Sequence, residues 1–111
     1  METKELMIGN LVLFENQIFE IESLSADIPN LKPIPITLEL LDKIGLRIEN
    51  KPNQDIEYYY KDSRFNLVHK TFFNIYYFCF DNIVLKKIKF IHEVQNLFYL
   101  LDNIDLKLKN D

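Results

Sequence analysis

Residues 56–90 contain four strand-forming runs in close succession, and this feature limits most strongly how the chain can fold. The runs read IEYYYK, FNLVHK, TFFNIYYFCF and IVLKKIKF, and they are rich in the β-branched and aromatic residues that strands favour. Asp81 and Asn82 lie between the last two runs, where a two-residue turn would join them. We therefore predict a β-rich block over residues 56–90, with Phe72–Phe80 and Ile83–Phe90 forming a hairpin.

The third run is apolar on both of its faces. Two sets of side chains are predicted to project to opposite faces of the strand. The first set is Phe72, Tyr76, Phe78 and Phe80, and the second set is Phe73, Ile75, Tyr77 and Cys79. A strand of this kind is either covered on both faces, or covered on one face while the other is offered to a partner.

A second hairpin is predicted over residues 6–24, near the start of the chain. Leu11–Phe14 and Gln17–Ile21 flank a short polar break that contains an asparagine, a residue that tolerates positive φ. Residues 26–36 contain three prolines, which remove backbone donors and hold a segment extended. This segment is predicted to be a connection.

Two helices are predicted. The first covers residues 37–45, with Thr37 as N-cap and Gly45 as a left-handed stop, and its core-facing side chains are predicted to be Leu38, Leu41 and Ile44. The second covers residues 91–103. Its apolar stripe consists of Ile91, Val94, Leu97, Phe98 and Leu101, and a second, polar and aromatic face consists of His92, Gln95, Asn96, Tyr99 and Asn103.

Together these segments predict one α+β domain over residues 1–111. We expect a curved antiparallel sheet or small barrel of about six to seven strands, with one short helix and one longer C-terminal helix. A strand end and a turn around Pro52 and Asn53 are expected between the first helix and the β-rich block.

The chain offers little for metal or covalent chemistry. His92-Glu93 resembles the start of a zinc-peptidase helix, but Asn96 stands where the second histidine is needed, and His69 is the only other histidine. Cys79 lies between two phenylalanines, which favours a buried, inert thiol over a nucleophile. We predict no enzyme, no catalytic residue, no metal and no cofactor.

Charge is distributed unevenly along the chain, whose net charge is −4. Residues 1–57 carry 5 basic and 11 acidic residues, whereas residues 58–111 carry 8 basic and 6 acidic ones. The acidic half either faces a basic partner or forms an ordinary solvated surface. The sequence contains one cysteine, and it shows neither a leader pattern nor an apolar run of membrane length. These features predict a cytoplasmic location.

Lysines and aromatic residues mark the candidate binding surface. Interleaved cations and rings on a sheet can hold single-stranded nucleic acid, although an acidic chain argues against this use. Exposed aromatic residues are also the usual anchors of protein interfaces. The polar face of the second helix either makes hydrogen bonds to the sheet or contacts a partner. The predicted partner-binding residues are Tyr58, Tyr60, Lys86, Lys87, Lys89, His92, Asn96 and Tyr99.

Three segments, IGNLVLF, IPITLELLDKIGL and FIHEVQNLFYLL, resemble a family of short uncharacterised proteins of phages and mobile elements. In size and character the chain is also similar to an anti-CRISPR protein that acts on a type VI-B RNA-guided RNase. That resemblance implies a non-enzymatic inhibitor, which binds a host CRISPR effector nuclease, with or without its guide RNA, and impedes guide or target RNA engagement. Whether the inhibitor also contacts RNA directly is left open by the resemblance. The alternatives are a single-stranded nucleic-acid-binding module and a small virion or assembly accessory protein.

Overall fold

A computed structural model of the chain describes residues 6–21, 31–50 and 55–108. Three parts of the sequence-based expectations fall outside these ranges: residues 22–24 of the first hairpin, residues 26–30 of the proline-rich connection, and the turn around Pro52 and Asn53.

The described residues form seven strands and two helices. In chain order they are β1 (Leu11–Phe14), β2 (Gln17–Glu20), α1 (Leu38–Lys43), β3 (Arg47–Asn50), β4 (Ile56–Tyr59), β5 (Phe65–Lys70), β6 (Ile75–Phe80), β7 (Ile83–Ile88) and α2 (Ile91–Asp102). β1 and β2 form a two-stranded sheet, and β3 to β7 form a five-stranded antiparallel sheet in chain order. The α+β class is therefore confirmed, as two open sheets and not a closed barrel.

Both predicted hairpins are confirmed, and their turns explain their registers. Glu15 and Asn16 join β1 to β2, while Asp81 and Asn82 join β6 to β7, and all four residues have positive φ. Two successive positive φ angles define the turn whose twist matches that of paired strands. Pairing in the second hairpin shifts by one residue at Leu85, since Lys86 faces Phe78 whereas Val84 faces Cys79.

The predicted strand Phe72–Phe80 is too long, because β6 begins only at Ile75. Residues 71–74 form a turn instead, in which the backbone N–H groups of Phe73 and Asn74 donate to the carbonyls of Lys70 and Thr71. Asn74 has a φ of 53°, a left-handed conformation that a continuous strand cannot contain.

The main core lies between one face of the large sheet and the two helices. Tyr58, Leu67, Tyr76 and Phe78 project from neighbouring strands into one cluster with residues of both helices, namely Leu40, Leu41, Ile91, Val94 and Phe98. A smaller cluster under the β1–β2 hairpin contains Leu6, Val12, Ile21 and Leu31.

The short helix α1 begins as predicted, because the Thr37 hydroxyl accepts a hydrogen bond from the backbone N–H of Leu40 at 3.2 Å. Gly45 follows the helix with a φ of +106°, as expected for a left-handed stop. The prediction that Leu38 faces the core is wrong, since it is 49% exposed while Leu40 and Leu41 are buried. The helix spans only six residues, so it presents one turn to the core.

The long helix α2 buries most of its predicted stripe. Ile91, Val94 and Phe98 are fully buried, but Leu101 is 51% exposed because it lies in the last turn of the helix. The Glu93 carboxylate accepts hydrogen bonds from the backbone N–H groups of Lys89 and Phe90, both at 3.0 Å, and so caps the first turn.

Candidate protein-binding surface

The turn between β5 and β6 carries the most exposed large apolar side chains of the described residues. Phe72 is 90% exposed and Phe73 is 70% exposed. Their rings contact each other edge to face, with centroids 5.0 Å apart. We call residues 71–74 the aromatic turn. Two adjacent phenylalanine rings in solvent are costly to a protein on its own and are typical of a site that another surface covers.

The aromatic turn is held in place by contacts at its base. His69 Nε2 and Asn74 Oδ1 are 2.9 Å apart, within hydrogen-bond distance. The His69 ring also stacks on Tyr76, with centroids 4.0 Å apart and planes only 3° from parallel. At the end of β5, the Lys70 ammonium forms a 2.5 Å ion pair with Asp55, next to the start of β4. The two rings are therefore displayed on a fixed base, which lowers the entropy lost on binding.

Two of the predicted lysines lie at the same end of the sheet as the aromatic turn. Lys87 and Lys89 both line a cleft of about 290 Å³ whose wall includes Asn74 and Ile75, the residues that lead from the aromatic turn into β6. The same two lysines line a second cleft of about 400 Å³, which also includes the predicted residue His92. The structure thus brings Lys87, Lys89 and His92 together.

The role predicted for His92 has to be corrected, because only 3% of the residue is exposed. Its ring is nearly parallel to that of Phe90, with centroids 5.9 Å apart. A side chain this deeply buried packs the start of α2 and offers almost no surface to a partner. Lys86 is exposed on β7, as a contact residue would be.

Two of the three predicted tyrosines lie on the core side of the large sheet. Tyr58 is fully buried in the core, and Tyr60 is half-buried against it. Burial raises the pKa of the Tyr58 phenol from 10.0 to about 12, and nearby Tyr76 adds to the increase. Because strand side chains alternate between faces, Tyr59 is the tyrosine of this run that lies on the opposite face of the sheet.

That opposite face contains a connected polar group. Glu57 and Asn66 are buried, and the Glu57 carboxylate accepts hydrogen bonds from the Tyr59 hydroxyl at 2.7 Å and from Asn66 Nδ2 at 3.3 Å. Burial, followed by the negative charge of Glu49, raises the pKa of Tyr59. On the same face Tyr77 lies directly across from Lys87. Lys87 is one of the predicted binding residues, and its position opposite Tyr77 follows from the predicted hairpin.

Gln95 joins three segments of backbone at the polar face of α2. Its amide nitrogen donates to the carbonyls of Gly9 and Leu106, each at 3.0 Å, and its amide oxygen accepts from the N–H of Leu11 at 2.8 Å. The neighbouring Asn96 accepts a 2.7 Å hydrogen bond from Asn10. These bonds attach the β1–β2 hairpin and the C-terminal segment to the helix. Of the two uses considered for the polar face of this helix, Gln95 and Asn96 therefore serve the first, which is hydrogen bonding within the protein.

Asn96 and the predicted residue Tyr99 line a separate cleft of about 660 Å³ between the hairpin, α2 and the C-terminal segment. Tyr99 is 46% exposed and remains accessible there. The eight predicted residues therefore do not form one surface. Some line the two clefts at the end of β7, Lys86 lies on β7, Asn96 and Tyr99 line this third cleft, and Tyr58 and Tyr60 pack in or against the core.

Other chemistry is sparse in the described ranges. Burial raises the pKa of the Cys79 thiol, in agreement with the buried cysteine predicted from its neighbours. Among residues 6–21, 31–50 and 55–108, no group of three or more histidine, cysteine or acidic residues could hold a metal ion. No helix in those ranges is long and apolar enough to cross a membrane.

Comparison with known proteins gives no relative from which a function could be carried over. No family model matches the chain, and neither a curated protein nor a solved structure matches it.

Proposed function

We propose that this chain is a non-enzymatic inhibitor that binds a type VI-B RNA-guided RNase and impedes productive engagement of its guide or target RNA. The observation that carries the protein-binding part is the aromatic turn, where Phe72 and Phe73 stand in solvent on a hydrogen-bonded base. The choice of partner rests on the resemblance in size and character described above.

The size of the expected contact follows from the two rings. Complete burial of one phenylalanine side chain contributes about 1.5–3 kcal/mol. The pair could thus supply about 4 kcal/mol, before the cost of ordering is subtracted. A contribution of that size is typical of the few central residues that dominate an interface.

The charge pattern supports a basic partner. Some acidic residues of the first half already have partners within the chain or are buried: Asp55 pairs with Lys70, Glu39 forms a surface pair with Lys43 at 2.9 Å, and Glu57 is buried. Others are exposed, namely Glu15, Glu20, Asp42 and Glu49. RNA-binding proteins carry basic surfaces that hold phosphates. Exposed carboxylates could occupy such a surface in place of RNA.

A pull-down with the purified effector, with and without guide RNA, tests the proposal. We expect the wild-type protein to be retained and the double variant Phe72→Ser/Phe73→Ser to lose at least about 100-fold in affinity. Leu100→Ser is the matched control, because Leu100 is 67% exposed on α2, away from the turn. No complex in either RNA state would end the proposal.

A second candidate, a single-stranded nucleic-acid-binding module, is favoured by the pairing of Tyr77 with Lys87 on one face of the sheet. A base could stack on the ring while the ammonium contacts a phosphate. This function predicts affinity that falls with salt and with the variant Lys86→Ala/Lys87→Ala/Lys89→Ala. Undetectable binding of RNA and DNA at low salt would exclude it.

A further inference from the structure

β7 is one of the two edge strands of the large sheet, and β3 is the other. The first three residues of β7, Ile83, Val84 and Leu85, are 61%, 57% and 49% exposed, although they project to different faces. Within the described residues no strand pairs with the outer side of β7. An apolar edge with unpaired backbone groups is a template on which another extended segment can form hydrogen bonds.

The chain itself shows that backbone pairing is possible just beyond this strand. Residues 34–36 form an antiparallel bridge with residues 89–91, in which the N–H of Ile36 donates to the carbonyl of Lys89 at 3.0 Å. The N–H of Ile91 donates in turn to the carbonyl of Ile34 at 2.8 Å. This pairing stops because the chain turns into α1 after Thr37. The segment of residues 34–36 therefore does not cover residues 83–87.

The charges along the edge indicate what kind of segment fits. Lys86, Lys87 and Lys89 are all exposed, and no salt bridge within the described residues involves them. A second copy of the chain would add another strand with lysines, and its residues 83–90 contain no carboxylate that could pair with Lys86, Lys87 or Lys89. An acidic strand would instead place carboxylates beside the lysines.

We propose that the outer edge of β7 is a docking strand, which pairs through residues 83–87 with an extended, acidic segment of the protein partner. The inference rests on the proposed function, because that segment belongs to the effector that covers the aromatic turn. The apolar side chains of β7 contact alternate residues of the segment, and the lysines select its acidic residues. The edge and the aromatic turn would together form one continuous contact, since both adjoin the cleft that contains Lys87 and Asn74.

Amide hydrogen exchange with the purified effector tests the inference. When nearly all of the protein is bound, backbone pairing should slow exchange by at least about tenfold at those N–H groups of residues 83–87 that point away from β6. The variant Lys86→Glu/Lys87→Glu should raise the Kd by about tenfold. The variant Lys32→Glu/Lys61→Glu changes net charge equally at exposed positions outside the edge and should leave the Kd nearly unchanged.

A capped six-residue peptide of alternating valine and glutamate provides a test that does not need the effector. At millimolar concentration it should shift the amide resonances of residues 83–87 in the wild-type protein and not in Lys86→Glu/Lys87→Glu. Effector binding that depends on Phe72 and Phe73 but leaves residues 83–87 unprotected would overturn the edge inference and leave the proposed function standing.

Absence of any effector binding would instead reject the proposed function, and with it the effector as the source of the docked segment. The peptide would then decide whether the edge binds an acidic strand, since no shift at residues 83–87 overturns the edge inference. Protection of the same amides that grows with protein concentration would assign the edge to a second copy, which also overturns it.

Discussion

Replacement of Gln95 by leucine should destabilise the protein strongly, although the two side chains have similar volumes. Gln95 is 4% exposed, and its amide serves two carbonyls and one N–H of other segments. Leucine would leave these three backbone groups buried without their partner, and each such loss costs about 1–3 kcal/mol. The greater apolar burial of leucine returns about 1–2 kcal/mol. The three losses sum to about 3–9 kcal/mol, so we expect a net loss of about 1–8 kcal/mol in the free energy of unfolding.

Urea unfolding of Gln95→Leu measures this loss, and the m-value should stay unchanged if only stability is affected. Gln17→Leu makes the same chemical change on exposed β2 and should alter stability by less than about 0.5 kcal/mol. Amide exchange at Leu11 should also accelerate in Gln95→Leu, because its N–H loses the glutamine oxygen. A free energy of unfolding for Gln95→Leu equal to that of wild type would refute the role of Gln95 in joining these segments.

Other changes test the core, a turn and the buried phenol. Leu41→Ala should cost about 2–5 kcal/mol in urea unfolding, because Leu41 is fully buried. Leu38→Ala, at the exposed position on the same helix, should cost less than about 1 kcal/mol. In the β6–β7 turn, Asn82→Val should cost about 1–2 kcal/mol because β-branched residues resist positive φ, whereas Asn82→Gly should be tolerated, as thermal unfolding can show. The pKa of Tyr58 is about 12 in the folded state against 10.0 in the unfolded state, so between these two pH values the folded protein keeps a phenol proton that the unfolded chain loses. Stability should hold below pH 10 and fall between pH 10 and 12, and Tyr58→Phe should flatten that fall in urea titrations.

Local patterns were sufficient for the hairpins and the helix starts. Polar pairs that contain asparagine mark both hairpin turns, and Thr37 provides the side-chain oxygen that caps α1. The stripe of α2 was visible because its buried members recur at helical spacing. In each case the deciding interaction joins residues a few positions apart in the chain.

The binding surface was harder to predict for three physical reasons. Three consecutive tyrosines give no alternation of polarity, so the sequence could not show that Tyr58 points inward and Tyr59 outward. The aromatic turn contains no glycine or proline, and two phenylalanines favour the strand that was predicted there. Gln95 bonds to Leu11 across 84 residues, a contact that no local pattern reveals.

Inhibition of target-RNA cleavage is the most direct test of the proposed function. The purified type VI-B effector, loaded with guide RNA, is titrated with wild-type protein, with Phe72→Ser/Phe73→Ser and with Leu100→Ser. We predict that wild type and Leu100→Ser suppress cleavage at equal concentrations, whereas the aromatic-turn variant needs at least about 100-fold more protein. Equal inhibition by all three proteins would contradict the role of the aromatic turn, and no inhibition by wild type would contradict the proposed function itself.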